Sequence, residues 1–600
     1  MMSHSSARSA SEWFIVALFL LLAGIPLVDF IGRPLAGFHI PGSATYTQQI
    51  TFFLTFVGGL VATLAGSHLR LSSAGLISGG RARRFAEFIS AGTAAAVTAM
   101  LAYASTSVVI AEKLQGQTLS LGLPIWATES IMPLCLGLIS LVFILRSSSN
   151  LIARICALAA VGAVFLLGSI EPGITIAWVL AGVLLMALLL GAPVFVGMAG
   201  IGLILFWREY TPVSAVAAEI YRLVGSPTLP VIPLLTAMGF ILAETGAPGR
   251  LVHFFRALLG FMPGGVAVLV SSVCALFTAL TGGSGVTIIA LGGLVLPILL
   301  EDGYKEKFSL GLVTAAGSLG LLFPPCLAVI LYSVVSKVPA DQLFLGGLAP
   351  GLLLLILVSA YGIRTSLKLK TPRRKFDWHE VLSATWEAKW ELSIPLAMVL
   401  LFGTGLASLL ETSAFASAYT IVIACFIHGD LHFTRDLPKT FVKTSAMVGA
   451  ILILLSCAMG LTSYLVDAQI PDRLMQFART HIHSSLVFLF VLNIVLLVLG
   501  SILEIFSAII VLTPLVVPIG LAFGIHPVHL GVIFLANLEL GFLFPPVGLN
   551  LLLSSSRFGK PMTELYLDVI PFLLILGLGV LLITYVPALS LGLPGWLGRI

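Results

Sequence analysis

The chain of 600 residues is 58% apolar and only 10% charged, with a mean hydropathy of +1.11. A soluble protein of this length needs a charged exterior, so these values exclude a water-soluble fold and indicate a polytopic membrane protein. The formal net charge of +5 is small, and no basic face interleaved with aromatic residues supports nucleic-acid binding. The six cysteines lie singly in apolar segments without metal-binding spacing.

Segments apolar enough to cross a bilayer begin near the N-terminus. They lie near 13–31, 48–66, 86–111, 126–145 and 151–169. A helix needs about 20 such residues to cross ~30 Å of hydrocarbon. From residue 174 onward apolar stretches follow almost without pause, and roughly sixteen crossings are predicted if hairpins that turn back inside the membrane are counted. No cleavage signal follows the first segment, which is therefore expected to be a membrane helix.

Basic residues are unequally distributed among the short loops. Four arginines follow the second segment: Arg70, Arg81, Arg83 and Arg84. The 32–47 loop, by contrast, contains only Arg33. Because Lys and Arg favour the cytoplasmic side, the N-terminus is expected in the cytoplasm. The fifth segment then carries the chain outward near 171–173, where we expect a module boundary.

A polar stretch at 364–392 interrupts the larger, apolar remainder of the chain. It mixes basic residues with tryptophans: Lys368, Lys370, Arg373, Arg374, Lys375, Trp378, Trp386 and Trp390. This composition is typical of an amphipathic arm lying on the cytoplasmic membrane surface. An anchor for the neighbouring helices and a lipid-binding switch are the two interpretations.

The chain contains an internal repeat. LGLLFPP at 319–325 recurs as LGFLFPP at 540–546, identical at six of seven positions. LVLPILLEDG at 294–303 matches LVVPIGLAFG at 515–524 at six of ten. Both pairs share an offset of 221 residues, which indicates two copies of one unit. We place the first repeat at about 228–363 and the second at about 440–590.

Each copy is predicted to contain an apolar hairpin, a short loop and a helix broken at Pro-Pro. The hairpin at 263–300 has the sequence TGGSG at 281–285, and the one at 485–521 has GSILE at 500–504. Polar, glycine-bearing tips favour re-entrant hairpins, whose irregular backbone needs protein or water around it.

The charge of the loops after the hairpins predicts opposite orientations for the two copies. The first loop carries Lys305 and Lys307, whereas 522–529 has no Lys or Arg. Inverted repeats with helices broken at the membrane midplane are typical of secondary transporters. A duplicated structural unit without a transport role is the alternative.

Each Pro-Pro pair removes two backbone donors and so is expected to free the carbonyls of 320–323 and 541–544. Unpaired carbonyls inside a membrane are costly, and a sodium ion is a plausible ligand for them. The hairpins supply further oxygens: Thr281 and Ser284 in the first copy, Glu504 and Ser507 in the second.

Intramembrane acids are functional candidates by default. For Glu504 the alternative is a buried carboxyl that is paired with arginine or held neutral. Glu411 and Glu539 also lie in apolar stretches.

The N-termini of half-helices would suit a carboxylate substrate. No HExxH, GxSxG or P-loop sequence supports an enzymatic or ATP-driven activity.

Residues 174–600 resemble the large membrane subunit of TRAP (tripartite ATP-independent periplasmic) transporters. The matching motifs are IPL at 232–234, MG at 238–239, PGG at 263–265, the 281–285 tip, 320–325, PG at 350–351, LTPLVVP at 512–518, GIHP at 524–527 and 541–548. Residues 1–150 resemble the small four-helix subunit through GSHL at 66–69, LPIW at 123–126 and Pro133. Residues 151–173 would be a connecting transmembrane helix.

The resemblance implies an all-α polytopic membrane protein. A four-helix small module and a linker helix would be fused to an inverted-repeat elevator-type transporter with two re-entrant hairpins and broken helices. The implied activity is sodium-coupled import, into a bacterium across its inner membrane, of a small organic acid (carboxylate) delivered by a separate periplasmic substrate-binding protein. A binding-protein-independent anion transporter of similar fold is the alternative. A membrane-embedded enzyme is less favoured, because the titratable groups are isolated.

The resemblance also implies site residues by position. The sodium ligands would be Thr281, Gly282, Gly283, Ser284, Gly320, Phe323, Glu504, Ser507, Gly541 and Phe544. The substrate would contact Ser284, Gly285, Pro325, Pro546 and Gly548. The sequence departs from the family pattern at 281–284, where Ser-Gly-Ser is common, at Cys326, where Ser is common, and at Glu504, where Asp is more usual.

Overall fold

A computed structural model of the chain describes residues 2–69, 80–119, 122–147, 151–167, 174–371, 375–545 and 547–600. Several residues that the sequence analysis singled out lie outside the described residues: Arg70, 171–173, Arg373, Arg374, Pro546 and the side chains of Arg81 and Arg84. Across the described ranges the chain forms helices α1–α26 and one π-helical segment, Ile423–Ile427.

The chain divides into two compact units. Unit 1 comprises Met1–Leu234 and Asp436–Arg473. Its helices are α1 (Met2–Ala36), α2 (Ser43–Ala65), α3 (Gly80–Gln115), α4 (Ile125–Glu129), α5 (Ile131–Arg146), α6 (Leu151–Leu167), α7 (Ile174–Leu189), α8 (Val194–Arg208), α9 (Ser214–Val224) and α19 (Leu437–Asp467). Two of the three boundaries between the units fall inside helices, in α10 (Val231–Glu244) and in α20 (Ile470–His481).

Unit 2 comprises Leu235–Arg435 and Leu474–Ile600. Its first half contains α11 (Ala247–Leu259), α12 (Gly265–Thr281), α13 (Ser284–Glu301), α14 (Glu306–Ala316), α15 (Leu327–Ser336), α16 (Ala340–Leu369), α17 (Trp378–Gly403) and α18 (Leu409–Val422). Its second half contains α21 (Ser485–Ile502), α22 (Ile505–Ala522), α23 (Pro527–Gly541), α24 (Leu549–Phe558), α25 (Met562–Tyr585) and α26 (Ala588–Trp596).

The described helices are those of a polytopic membrane protein. Eleven of them are long and apolar enough to cross a membrane, or up to 12 if one bent pair is counted as a span. That pair is α10 and α11, which meet at 75°. Six further apolar helices have 10–17 residues, fewer than the roughly 20 that a straight crossing usually takes. The predicted all-helical membrane fold is confirmed.

The predicted amphipathic arm at 364–392 belongs to two long helices. α16 runs to Leu369, and α17 continues to Gly403. One face of α17 packs Val381 and Ala384 against α11, while Trp386 is exposed and stacks under the ammonium of Lys389, 3.1 Å from its ring centroid. The first half of α17 therefore has a packed side and an exposed side, and its position on the cytoplasmic membrane surface stays a prediction.

In unit 1 two helices meet through glycines. A Cβ added to Gly58 of α2 would lie only 3.1 Å from the Cα of Gly449 in α19. Phe19 of α1 stacks on Phe441 of α19, with ring centroids 4.7 Å apart. Small residues allow this backbone approach, which gives van der Waals contact that membrane helices need in place of a hydrophobic driving force. α19 thus packs closely against the first two helices of the chain.

In unit 2 a buried ion-pair network fixes the bend between α10 and α11. Arg250 of α11 donates to Glu391 of α17 from Nε (2.7 Å) and to Asp430 from Nη2 (2.8 Å). The amide of Gly246, at the bend, donates to the same Asp430 oxygen (2.9 Å). The Glu391 side chain is 1% exposed. Arg250 is thus the counter-charge of a buried carboxylate.

The network also makes the fold sensitive to acid. Burial by itself raises the pKa of Asp430, but hydrogen bonds from Arg250 and Gly246 outweigh burial and lower this pKa below its ordinary 3.8. A carboxyl with a lowered pKa stabilises the folded state above its unfolded pKa. This contribution disappears as the pH falls through the folded value.

We expect Arg250→Ala to destabilise the protein by about 3–5 kcal/mol, because it leaves the Glu391 carboxylate buried without its partner. Unfolding by SDS titration in mixed micelles measures this difference. Arg83→Ala is the matched control, since Arg83 pairs with Glu87 on the surface of α3 and the pair contributes about 0–1 kcal/mol. Equal losses in the two variants would contradict this role of Arg250.

Candidate functional site

Both Pro-Pro pairs fall where a helix is interrupted. In the first copy α14 ends at Ala316 and α15 begins at Leu327. In the second copy α23 ends at Gly541 and α24 begins at Leu549. Each half-helix has 10–15 residues, so neither half crosses a bilayer alone. The backbone between the halves is therefore the place where helical hydrogen bonds are lost.

Some of the freed carbonyls are captured by tight turns. The amide of Phe323 donates to the carbonyl of Gly320 (3.1 Å), and that of Phe544 donates to Gly541 (3.0 Å). The carbonyl of Phe323 accepts from Cys326 (3.0 Å). The carbonyls were predicted to be unpaired, but hydrogen bonds between residues three apart replace part of the lost helical pattern. Each carbonyl oxygen keeps its second lone pair for another ligand.

The tip of the first hairpin is two residues long. α12 ends at Thr281, Gly282 has a left-handed φ of 72°, Gly283 is extended, and α13 starts at Ser284. The side chains of Thr281 and Ser284 are buried, and the Thr281 hydroxyl donates to the carbonyl of Phe277 (2.8 Å). Its lone pairs remain available to a cation.

The first tip contacts the first helix break. A Cβ on Gly282 would lie 2.6 Å from the Cβ of Leu327, the first residue of α15. The buried hydroxyl of Thr278 donates to the carbonyl of Gly317 (2.8 Å) and lies 2.7 Å from the hydroxyl of Thr287. Thr278 and Thr287 therefore fasten both arms of the hairpin to the break. Neither residue was among those predicted from the sequence, although hydroxyls flanking a glycine-rich tip were a usable signal.

In the second hairpin Glu504 caps a helix. Its Oε2 accepts from the amides of Phe506 (3.0 Å) and Ser507 (3.4 Å) at the start of α22. Both of these bonds reach Oε2, and no arginine pairs with Glu504 within the described part of the chain. The positive end of the helix dipole stabilises a carboxylate at this position. Glu504 is thus held in place by one oxygen while the other is available for a ligand.

The second hairpin contacts the second break in the same way as the first. The amide of Gly548 donates to the carbonyl of Ser501 (3.0 Å). A Cβ on Gly541 would lie 2.8 Å from the carbonyl carbon of Gly500, just as a Cβ on Gly320 would lie 2.7 Å from the amide nitrogen of Ala279. Gly320 and Gly541 are 221 positions apart in the sequence, and so are Ala279 and Gly500. The two copies therefore share a contact as well as a sequence.

Glycine at position 548 allows the backbone to pass close to two carbonyl oxygens of the second break. Its φ is 55°, and an added Cβ would lie 2.7 Å from the carbonyl oxygen of Phe542 and 3.2 Å from that of Phe544.

Gly285 is also tightly packed, because a Cβ there would lie 2.8 Å from Leu553 of α24. Contacts thus join tip and break within each copy and join the first hairpin to a half-helix of the second copy.

The remaining acids differ in their surroundings. Glu411 forms a capping box with Ser408. The Glu411 carboxylate accepts a hydrogen bond from the amide of Ser408 (2.8 Å), and the amide of Glu411 donates to the hydroxyl of Ser408 (3.2 Å). This is a structural role at the start of α18. Glu539 of α23 is 1% exposed, and neither carboxylate oxygen has a hydrogen-bond partner in the described ranges.

Two family models match consecutive parts of the chain. Residues 179–589 match the DctM component of the tripartite ATP-independent periplasmic transporters, and residues 22–154 match the DctQ component. The chain therefore belongs to the TRAP transporter family and carries both membrane components in one polypeptide. It is a transport protein and not an enzyme.

Curated relatives agree with this assignment. A C4-dicarboxylate TRAP transporter large permease protein of Pseudomonas aeruginosa is 33% identical over 64% of this chain and 90% of its own. An isethionate TRAP transporter permease protein, DctMQ, of Oleidesulfovibrio alaskensis is 30% identical over 79% of this chain and 76% of its own. Among solved structures, the Alcanivorax borkumensis YdaH transporter aligns with a TM-score of 0.47 and 14% identity over 64% of this chain and 88% of its own.

We expect Gly283→Phe to reduce transport to background without loss of folding. Gly283 has an extended backbone, with φ −148°, that any residue adopts, and only Val286 lies within 4 Å of an added Cβ. The new ring would therefore occupy the space beside the tip. Uptake into proteoliposomes and size-exclusion chromatography measure the two properties.

Gly592→Phe is the control for this substitution, since nothing lies within 4 Å of a Cβ there either and the residue is in α26, away from the tips in sequence. Uptake by Gly283→Phe at the rate of this control would contradict the assignment of the first tip to the transport site.

Proposed function

We propose that the protein is a sodium-coupled importer of a small organic acid, which a separate periplasmic substrate-binding protein delivers to it. The observation that carries the proposal is the duplicated contact between hairpin tip and helix break, made by Gly320 in one copy and Gly541 in the other. In both copies carbonyl oxygens with a free lone pair lie on a break that contacts an oxygen-bearing tip. Such oxygen-only surroundings suit a hard monovalent cation.

The two sodium sites would each use one tip and one break. In the first, the residues are Thr281, Gly282, Gly283 and Ser284 with Gly320 and Phe323. In the second, Glu504 and Ser507 join Gly541 and Phe544. The second set contains Glu504, which carries a full negative charge in its carboxylate form, and we infer that this set contributes more to sodium affinity than the neutral first set.

The substrate is proposed to be a small organic acid that binds at Ser284, Gly285, Pro325, Pro546 and Gly548. Two of these residues adjoin half-helix N-termini, since α13 begins at Ser284 and α24 begins directly after Gly548. Helix N-termini favour anions through their free amides and dipole. The relatives named for C4-dicarboxylate and isethionate transport support an anionic substrate.

For the organisation of the chain we propose a small module at 1–150, a connecting transmembrane helix at 151–173 and a large transport module at 174–600. The N-terminus would be cytoplasmic in the bacterial inner membrane, and the two repeats would be inserted with opposite orientations. The charges of Lys305 and Lys307 after the first hairpin support this assignment.

Transport is proposed to follow an elevator mechanism. The two re-entrant hairpins and the half-helices would move as one body and carry substrate and sodium across the membrane. The close contacts between tip and break support a common motion. Thr278 and Gly282 make these contacts in the first copy, and Gly541 makes them in the second. Such close packing leaves no room for a tip to slide independently of its break.

We expect Glu504→Gln to raise the sodium concentration for half-maximal uptake by about 10-fold or more, because the ligand loses its charge but keeps an oxygen for the helix cap. Uptake driven by an imposed sodium gradient in proteoliposomes measures this change. Glu301→Gln, on an exposed residue at the end of α13, is the control and should match the wild type. Uptake by the wild type that is indifferent to sodium would overturn the coupling proposal.

The need for a binding protein is tested in the same vesicles. We expect uptake of an organic acid only when a periplasmic substrate-binding protein is added on the outer side. Full-rate uptake of free substrate without it would favour the alternative, an anion transporter of similar fold that works alone.

A further inference from the structure

Unit 1 contains an apolar cavity that transport, as proposed above, does not use. The cavity has a volume of about 200 Å³ and lies between α3, α6, α7 and α8. Among the described residues that line it, only Thr93 and Trp207 carry a nitrogen or oxygen atom in the side chain. An apolar cavity of about 150 Å³ excludes water and binds a molecule such as benzene. The lining therefore selects a hydrocarbon ligand over an ion or an organic acid.

The cavity is elongated along the helices. On α3 its lining runs from Gly92 to Met100, and on α8 from Gly200 to Trp207. The eight residues from Gly92 to Met100 advance along the helix by about 12 Å. A length of this kind suits a hydrocarbon chain better than a compact ring.

One side of the cavity is closed by packed helices, and another side reaches the protein surface. A Cβ on Gly200 of α8 would lie 2.8 Å from Leu184 of α7 and 3.2 Å from Val97 of α3, so the three helices meet there. Val183 of α7 also lines the cavity and is 41% exposed. The lining residues of α3 fall within the candidate membrane span Phe85–Gln115. A lipid chain can therefore enter the cavity from the hydrocarbon of the bilayer.

A groove with an aromatic and a basic residue adjoins the cavity. It lies between α7 and α8, shares Ile204 with the cavity and is also lined by Trp178 and Arg208. Trp178 is 70% exposed, and Arg208, the last residue of α8, is exposed as well. Tryptophan and arginine near the ends of apolar helices favour the level of the lipid headgroups.

Arg208 provides the chemistry for an anionic headgroup. A guanidinium group binds phosphate through two parallel hydrogen bonds. The neighbouring acid, Glu209, accepts a hydrogen bond from the hydroxyl of Tyr464 on α19 (2.6 Å). A hydrocarbon cavity thus adjoins a phosphate-binding side chain, which is the pattern of a phospholipid.

We propose that unit 1 binds one glycerophospholipid, with an acyl chain in the cavity and its phosphate at Arg208. The lipid would contact α3 in the part that matches the DctQ component and α8 in the part that matches the DctM component. It would also contact Ala160 and Val164 of α6, which lie between the two matched ranges. The helix that connects the components would therefore complete the lipid site, and the lipid would link all three parts.

The test is native mass spectrometry of the full-length protein, stripped of lipid in detergent and titrated with dioleoyl phosphatidylglycerol. We expect the wild type to bind one molecule more tightly than any further ones. Gly92→Phe should weaken this binding by about 10-fold or more. Gly92 is buried, yet nothing lies within 4 Å of an added Cβ, so the ring would fill the cavity.

Gly162→Phe is the matched control. Nothing lies within 4 Å of a Cβ on Gly162 either, but this residue is exposed on α6 and does not line the cavity. It should bind the lipid like the wild type. Equal affinities of Gly92→Phe and Gly162→Phe would place the lipid elsewhere and overturn the site. If Gly92→Phe does not fold, the smaller Gly92→Leu takes its place with the same expectation.

The phosphate contact is tested with dioleoylglycerol, which has the same acyl chains and no phosphate. The wild type should bind phosphatidylglycerol about 10-fold or more tightly than dioleoylglycerol. Arg208→Gln should bind the two lipids equally, whereas Arg83→Gln, which removes an exposed arginine of α3, should keep the preference. A wild type without this preference would mean that any hydrocarbon chain, including that of the detergent, fills the cavity, and would overturn the phospholipid assignment.

Lipid binding measured in this way needs neither substrate nor sodium. Failure of the transport proposal is therefore distinguishable from failure of the lipid site.

Discussion

The structure depends on the requirement that peptide groups in a hydrocarbon environment find partners inside the protein. Two double-proline stretches break that pattern in unit 2, where α14 and α23 stop and α15 and α24 begin again. The tips of the hairpins pack against the helix breaks, and in both copies glycines allow this close contact. Tight turns supply hydrogen bonds to some of the freed carbonyl oxygens. The carbonyl oxygens that keep a free lone pair line sites that a simple helical bundle does not have.

Much of this arrangement is legible in the sequence. The offset of 221 residues between LGLLFPP and LGFLFPP predicts two units of one design, and the proline pairs predict where helices stop. The first tip is recognisable as two glycines between Thr281 and Ser284, and glycine is favoured at Gly282 because its backbone is left-handed and lies close to Leu327. Periodicity, repeats and proline act locally, so they can be read without knowing the tertiary structure.

Other features depend on contacts between distant parts of the chain and could not be predicted. The capping role of Glu504 follows from the exact start of α22, which an apolar run does not define. Thr278 and Gly317 meet across 39 residues, and Glu391 acquires its importance from Arg250, 141 residues away. Single-residue patterns carry no information about such pairs.

The glycine contact between α2 and α19 has a consequence for assembly. Gly58 lies in the part that matches the DctQ component and Gly449 in the part that matches the DctM component. When two such partners are separate polypeptides, a glycine interface must be strong enough to hold them together at their dilution in the lipid. A covalent connection replaces that bimolecular step by an intramolecular one, with an effective concentration in the millimolar range for short linkers, and fixes the stoichiometry at one to one. A fused protein can therefore accumulate mutations that weaken this interface. The same mutations would cause the subunits of a two-chain relative to dissociate.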